Sequence, residues 1–205
     1  MARPRKDQQI DIRPGAIAMT MRLLDDRDAT AITMSDVAAA VGCRAPALYA
    51  YFASRDALLR DVHDEGFRLM LRDKIAVATR NVDNALEPLR AGGLAYLGFA
   101  FERPGLYRLM FSPPPLENLS TNPFEADPAG KCLDMLQGAI EACQAEGYLP
   151  GVEPRQMAFT LWSAVHGAAL LVLQGRAPLQ TGQDPRSAAI ATVETLMGFI
   201  RSTRS

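Results

Sequence analysis

Side chains that could bind an anion are concentrated between positions 33 and 55. Thr33 stands at the expected start of a helix, where free backbone N–H groups suit a phosphate. Tyr49 and Tyr51 carry phenol hydroxyls that can donate to phosphate oxygens, and Arg55 adds positive charge close to them. The two tyrosines could instead be half-buried aromatics of a small core. Contact with a nucleic-acid backbone is the chemistry that these residue types favour.

A further basic group and a run of small residues lie just before the tyrosines. Arg44 can reach a guanine edge or a phosphate, whereas Ala45, Pro46 and Ala47 offer no hydrogen bonds to bases. Direct readout would then fall on Arg44 and on alanine contacts with thymine methyl groups. We expect part of any sequence preference to come from the shape of the DNA.

Positive charge must be placed locally, because the net charge is −1 and the pI is near 6.1. Arg3, Arg5 and Lys6 supply some of it on the N-terminal tail. These three residues form either a groove-binding arm or an ordinary solvated tail. Double-stranded DNA as a partner therefore depends on a few residues rather than on a globally basic protein.

The first element that must position these side chains is a short helix. Thr33 and Asp36 form a Thr-x-x-Asp variant of the capping box, with Asp in place of the usual Glu or Gln. This spacing predicts a helix that ends at Val41, because Gly42 stops it.

The second element is another short helix, predicted from Pro46 to Tyr51, with the proline in its first turn, where a missing N–H costs little. Leu48 and Phe52 are four residues apart and would anchor this helix to the core. Two short helices joined by a turn have the dimensions of a helix-turn-helix.

The stretch from Thr33 to Leu59 resembles the DNA-binding domain of the TetR (tetracycline-repressor) family. The match consists of a helix-opening threonine, a glycine turn, a Leu-Tyr-x-x-Phe end of the recognition helix and a Ser-Lys/Arg-x-x-Leu start of the next helix. In this chain these are Thr33, Gly42, Leu48-Tyr49-Ala50-Tyr51-Phe52 and Ser54-Arg55-Asp56-Ala57-Leu58. The resemblance covers about residues 10–62 and implies that the second short helix enters the major groove.

Two positions depart from the family's pattern. The residue that usually caps the recognition helix is Arg44 here instead of Ser or Thr, so we expect weaker capping. The turn residue that is usually glycine is Asp28, which tolerates left-handed backbone geometry better than most residues.

The remaining chain predicts an all-α protein of about nine helices, because β-branched alternation is scarce. A long helix capped by Ser54 is expected to run to about Arg80. The other expected helices cover 11–26, 83–102, 104–111, 131–146, 154–174 and 185–200, with a loop over 112–128. The predicted domains are a flexible basic arm (1–9), a helix-turn-helix domain (10–55), a connecting helix (56–80) and a ligand-binding and dimerisation domain (81–205).

Residues 103–111 and 161–170 resemble one subgroup of TetR ligand domains, which has a Trp-x-x-x-His-Gly signature. The resemblance implies an apolar pocket for a small apolar or amphipathic effector, with His166 as a polar fixture. Plain core packing around a satisfied histidine is the alternative. The expected wall consists of Tyr96, Phe99, Tyr107, Met110, Phe111, Met135, Phe159, Trp162 and His166.

A helix-turn-helix reads two half-sites about one helical turn apart, so we expect a homodimer. The resemblance implies that the last two helices of each subunit form a four-helix bundle. The residues expected at that interface are Ala164, Ala168, Leu171, Ala189, Val193, Leu196 and Ile200. Ligand binding would favour a spacing of the two heads that no longer matches DNA. The resemblance implies repression, the usual mode of the family, so we expect an effector to relieve repression.

Composition favours a cytoplasmic protein. Cys43, Cys132 and Cys143 form no Cys-x-x-Cys pair and are odd in number, which suits a reducing compartment. The basic start lacks the apolar run of a signal peptide. The richest apolar stretch, around 168–173, is expected to be shorter than the roughly 18 residues of a membrane span, so no membrane partner is expected.

An enzyme is the competing class, and the sequence offers it few groups. Neither a glycine-rich phosphate loop nor a nucleophile elbow occurs, and the only two histidines, His63 and His166, are far apart. Asp25, Asp26 and Asp28 fit a solvated acidic turn better than a metal site. We therefore expect neither a cofactor nor a metal.

Two further interpretations stay open. Cys43 lies in the turn between the short helices and could make the protein a redox sensor with DNA affinity as its output. A helical ligand-binding protein that has lost DNA affinity would also explain an alanine-rich recognition helix.

Overall fold

Nine α-helices and two 3-10 turns make up the part of the chain that the computed structural model describes, residues 11–78, 84–120, 122–125 and 128–204. No strand occurs among these residues, so the predicted all-α class is confirmed. The chain folds as two compact units. The first comprises Met1–Gly66 with Gly105–Thr121, and the second comprises Phe67–Pro104 with Asn122–Ser205.

The first unit begins with three helices that pack on one another: α1 (Ile12–Asp26), α2 (Met34–Val41) and α3 (Ala45–Leu48). Each contributes apolar side chains to a small shared core, as amphipathic helices do. The fully buried members of this core include Ala16, Leu24, Ile32, Val37, Leu48 and Phe52.

Both predicted boundaries of α2 are confirmed. Thr33 Oγ1 accepts a hydrogen bond from the Asp36 N–H at 3.2 Å, and the Asp36 carboxylate accepts one from the Thr33 N–H at 2.9 Å. These reciprocal bonds are the capping box that the sequence predicts. Gly42 ends the helix with a left-handed φ of 81°, a conformation that glycine adopts without a steric penalty.

One helix of the first unit differs in length from the prediction. Helix α3 starts at Ala45 and ends at Leu48, so it is shorter than the predicted helix from Pro46 to Tyr51, and no side chain caps its N-terminus. Asp28 has an extended backbone with φ −67°, so the tolerance of Asp for left-handed geometry is not used at this turn. Its carboxylate accepts from the Thr30 N–H at 2.8 Å, and this bond starts the 3-10 turn Ala29–Ala31.

Helix α4 (Arg55–Ala78) begins at the cap that the sequence predicts, because Ser54 Oγ accepts from the Ala57 N–H at 3.1 Å. Its first half, through Gly66, belongs to the first unit. Helix α5 (Leu86–Glu102) belongs to the second unit, and α6 (Pro104–Phe111) supplies most of its residues to the first.

The second unit is built around a helix that touches three others. Helix α8 (Pro154–Leu173) packs against α5, α7 (Ala129–Ala145) and α9 (Pro185–Ser202). Both α8 and α9 begin with a proline in the first turn and an acidic N-cap, Glu153 and Asp184, which is a strong helix start.

Helix α8 corrects one expectation. It is long and apolar enough to cross a membrane by length and composition, the one such helix among the described residues, whereas the sequence predicted no such stretch. Only 22% of its most apolar 18-residue window is buried within the subunit. Apolar composition with so little burial is also typical of a helix that packs against a second subunit.

Candidate DNA-binding surface and ligand cavity

Helix α3 and the turn after it hold two aromatic side chains in the solvent. Leu48 and Phe52 are fully buried and anchor the segment, as predicted. Tyr49 and Tyr51 point away from that core and are 55% and 48% exposed. Within the described ranges neither phenol hydroxyl has a hydrogen-bond partner. Both hydroxyls are therefore available to donate to a phosphate oxygen.

The start of α3 has the predicted alanine-rich surface. Arg44 is exposed at the N-cap, and its side chain makes no capping bond. Pro46 is exposed, and Ala45 and Ala47 are half-buried. The guanidinium of Arg44 is thus the group of this surface that can make a bidentate contact to a base or a phosphate.

Thr33 is less available than the sequence suggests. Its hydroxyl donates to the Asp36 carboxylate at 2.6 Å, and Asp36 also pairs with Arg27 at 3.2 Å. The hydrogen bonds from Thr33 lower the pKa of Asp36, so the cap carries a negative charge. A phosphate at the start of α2 would have to displace this carboxylate.

Arg55 is held by backbone groups of its own unit. Its Nε donates to the Ile32 carbonyl at 2.7 Å, and its Nη2 donates to the Ala29 carbonyl. Nη1 lies 3.4 Å from the Asp56 carboxylate. The guanidinium therefore joins the start of α4 to the 3-10 turn ahead of α2. These bonds give Arg55 a role in positioning the helix-turn-helix. The sequence analysis predicted only a contact of Arg55 with DNA.

Replacing Arg55 with methionine is expected to destabilise the protein by about 2 kcal/mol, because two backbone carbonyls lose their donors. For a chain of this size that loss lowers Tm by about 4–8 °C. Thermal unfolding followed by circular dichroism measures it. Arg44→Met is the matched control and should leave Tm unchanged while weakening DNA binding. An Arg55→Met protein as stable as wild type would contradict the positioning role.

The tail residues Arg3, Arg5 and Lys6, predicted as a DNA-binding arm, lie outside the described residues.

The second unit contains a cavity between α4, α5, α7, α8 and α9. Its empty space is about 740 Å³, including the open mouth. Its walls are mostly aliphatic and aromatic, and they consist of Lys74, Ala78, Pro88, Leu89, Gly92, Gly93, Tyr96, Met135, Leu136, Ala139, Leu161, Trp162, Val165, Val193, Leu196 and Met197.

A chain of polar contacts runs along one wall of the cavity. Trp162 Nε1 donates to the Tyr96 hydroxyl at 3.2 Å, and that hydroxyl lies 2.8 Å from Nδ1 of His166. Burial lowers the pKa of His166, which favours the neutral ring. A neutral His166 can accept a hydrogen bond from the Tyr96 hydroxyl at Nδ1. The side chains of Trp162, Tyr96 and His166 are therefore linked by hydrogen bonds.

Four of the predicted ligand residues meet at this cavity. Tyr96, Met135 and Trp162 line it, and Nδ1 of His166 is within hydrogen-bond distance of the Tyr96 hydroxyl. Sequence reasoning missed Lys74 and the pair Gly92 and Gly93. Two adjacent glycines inside a helical pattern indicate a close approach, and Gly93 indeed faces Val193, because a Cβ there would lie 3.2 Å from its Cγ1.

The other five predicted wall residues do not line this cavity. Phe99 is buried elsewhere in the second unit, and Phe159 is 55% exposed. The remaining three belong to the first compact unit, and they are Tyr107, Met110 and Phe111. Helical spacing predicts that all five apolar side chains face the interior of the protein. It does not predict which of the two units each one packs in.

Two of the cysteines are poorly suited to thiolate chemistry, and the described side chains do not form a cluster suited to a metal ion. Burial raises the pKa of the Cys132 and Cys143 thiols to about 11, which keeps both protonated at neutral pH. Across the described ranges no group of three or more His, Cys, Asp or Glu side chains is arranged to hold a metal ion.

Two solved structures of named regulators and one of a protein of unknown function share this fold. The protein of unknown function, from Rhodococcus sp. RHA1, is 19% identical, with a TM-score of 0.81 over 96% of this chain and 99% of that chain. The TetR family transcriptional regulator PfmR from Thermus thermophilus is 16% identical, with a TM-score of 0.66 over 89% and 97% of the two chains. The fatty acid degradation regulator FadR from Bacillus halodurans is 13% identical, with a TM-score of 0.71 over 93% and 97%.

Two family models match the sequence itself. Residues 16–62 match that of bacterial regulatory proteins of the tetR family, and residues 89–196 match that of the tetracyclin repressor-like C-terminal domain. No curated protein sequence gives a significant match. The second model alone spans more than half of the 205 residues, and the first covers the helix-turn-helix. The chain therefore belongs to the TetR family of transcriptional regulators.

Proposed function

We propose that the protein is a homodimeric, ligand-responsive repressor that binds a palindromic operator and is released by a small apolar or amphipathic effector. The observation that carries this proposal is the pair of exposed tyrosines, Tyr49 and Tyr51, fixed beside Arg44 by the buried Leu48 and Phe52. This arrangement presents two hydroxyls that can donate hydrogen bonds to DNA phosphates, and one guanidinium that can contact a base, on the same short segment.

Direct base contacts on this surface are few, because Ala45, Pro46 and Ala47 lack hydrogen-bonding side chains. Shape readout and phosphate contacts would supply much of the affinity. The basic tail, residues 1–9, is proposed to add further phosphate contacts. Domain roles follow the predicted order, with residues 10–55 binding DNA, 56–80 connecting, and 81–205 binding the effector and the second subunit.

Tyr49→Phe combined with Tyr51→Phe tests the DNA-binding role. Each hydroxyl lost from a phosphate costs about 1.5 kcal/mol or more, so we expect roughly 100-fold weaker binding for the pair. Fluorescence anisotropy on a duplex selected from a random pool measures the affinity. Because both hydroxyls are exposed, Tm should not change.

Tyr148→Phe is the control for this experiment, since Tyr148 is buried in the second unit and its hydroxyl accepts from Arg204. It should bind the selected duplex as wild type does. Equal affinity of the double variant and wild type would refute the role of the tyrosines. Failure of wild type to select any duplex would support the alternative, a helical ligand-binding protein without DNA affinity.

Dimerisation through α8 and α9 is proposed on the exposed apolar residues of the two helices. Ala164, Ala168 and Leu171 follow one helical stripe of α8, and Leu171 is 42% exposed. On α9, Phe199 is 67% exposed. Aromatic residues are enriched at the centres of protein–protein interfaces relative to the rest of the surface, which supports this placement.

Four of the residues that the sequence analysis expected at this interface are not part of the proposed interface. Ala189, Val193 and Ile200 are buried within the subunit, and Leu196 lines the cavity. A side chain that its own subunit already covers has little surface left for a partner. The two faces of α9 could not be separated from spacing alone, because both carry apolar residues.

A further inference from the structure

Lys74 is the one charged side chain among the described residues that line the cavity of the second unit. Its Nζ lies 6.0 Å from the centre of the Tyr96 ring. Within residues 11–78, 84–120, 122–125 and 128–204, the Lys74 ammonium has neither a hydrogen-bond acceptor nor an ion-pair partner. A cationic group thus faces a mostly aliphatic space without a compensating anion.

Such a placement is unfavourable for the empty protein. Burial lowers the pKa of Lys74, because the low-polarity surroundings disfavour the charged amine. A methionine or leucine at this position would pack the same space without that penalty. A group that costs stability without a structural partner is typical of a binding site.

The other polar groups of the cavity are already satisfied. The Tyr96 hydroxyl is shared by Trp162 and His166. An ammonium has donors and no acceptor, so it selects for an acceptor and, most strongly, for an anion. The space beside it is lined by apolar side chains such as Leu161, Val165 and Met197, which suit an aliphatic chain or a single ring.

We propose that the cavity binds a small carboxylic acid, with its apolar body against the walls formed by α5, α8 and α9 and its carboxylate paired with Lys74. The inference rests on the proposed function only in taking this cavity as the effector site. The pairing restores the charge of the amine and gives it the partner that the empty protein lacks.

Trp162 is the only tryptophan of the chain and lines the cavity, so its fluorescence reports occupancy directly. Octanoate, 1-octanol and octylammonium share one apolar chain and differ in head group. We expect wild type to bind octanoate at least 10-fold more tightly than octanol, and octylammonium most weakly. Lys74→Met should remove that preference while retaining octanol binding. Lys131→Met, on the exposed surface of α7, is the control and should keep it.

Thermal unfolding gives a second readout. Lys74→Met should raise Tm of the empty protein by a few degrees, and octanoate should raise Tm of wild type but not of the variant. The inference is overturned if octanol binds wild type as tightly as octanoate, if Lys74→Met keeps the preference, or if none of the three ligands changes Trp162 emission at millimolar concentration. Because these measurements contain no DNA, a wild type that binds its operator but fails here overturns this inference and leaves the proposed function standing.

Discussion

Gly105→Ala is expected to destabilise the protein by about 3 kcal/mol or more. Gly105 is buried near the start of α6, and an alanine Cβ there would overlap the backbone oxygen of Leu24 in α1. No rotamer relieves this clash, because the atom that it meets is main chain. One of the two helices must move, and overpacking of this kind costs about 1–3 kcal/mol or more.

Two other glycines serve as controls in urea unfolding experiments. Gly66→Ala meets the Sδ of Met110 at 2.6 Å, and a flexible methionine can yield, so its cost should be about 1 kcal/mol. Gly98→Ala, in α5, has no atom within 4 Å and should stabilise the helix by up to about 1 kcal/mol. A Gly105→Ala protein as stable as wild type would show that α6 does not pack this closely on α1.

This clash has a consequence for DNA binding. Because α1 also packs on α2 and α3, a shift of its C-terminal end would disturb the helix-turn-helix. We therefore expect Gly105→Ala to lose DNA affinity even at temperatures where it remains folded.

Phe199→Asp is expected to convert the proposed dimer into monomers and to weaken operator binding by roughly 100-fold or more. A charge at the centre of an apolar interface loses its hydration without gaining a partner. A monomer then reads only one half-site and forfeits the effective concentration that links the two heads, a gain of roughly 10²–10⁴. Sedimentation velocity measures the mass, and anisotropy measures the affinity.

Ile190→Asp is a matched control on the same helix. Ile190 is 42% exposed and lies nine residues before Phe199, which is two and a half turns and therefore the opposite side of α9. Its variant should remain dimeric. A dimeric Phe199→Asp protein, or monomers from both substitutions, would place the interface elsewhere.

Features fixed by neighbouring residues could be predicted from the sequence. The capping box of Thr33 and Asp36, the stop at Gly42 and the Ser54 cap each depend on groups within four residues of one another. The anchoring of Leu48 and Phe52 follows from their spacing in the same way. Local hydrogen bonds and helical periodicity are sufficient to specify these features.

Features that depend on distant partners could not be predicted. Arg55 binds carbonyls 23 and 26 positions away, at Ile32 and Ala29, which its motif does not reveal. Lys74 resembles any other polar residue on a long helix until α5, α7, α8 and α9 form the cavity that it lines. The tight contact of Gly105 is likewise a property of two packed helices and not of either sequence segment.

Binding to DNA around the protein's own gene tests the central claim most directly. Anisotropy would be measured on labelled duplexes that tile this region, at two salt concentrations. The proposed function predicts tight binding to one palindromic duplex, with two subunits bound per site. Weak, salt-sensitive binding to every duplex alike would contradict it, because such binding reflects charge and carries no sequence recognition.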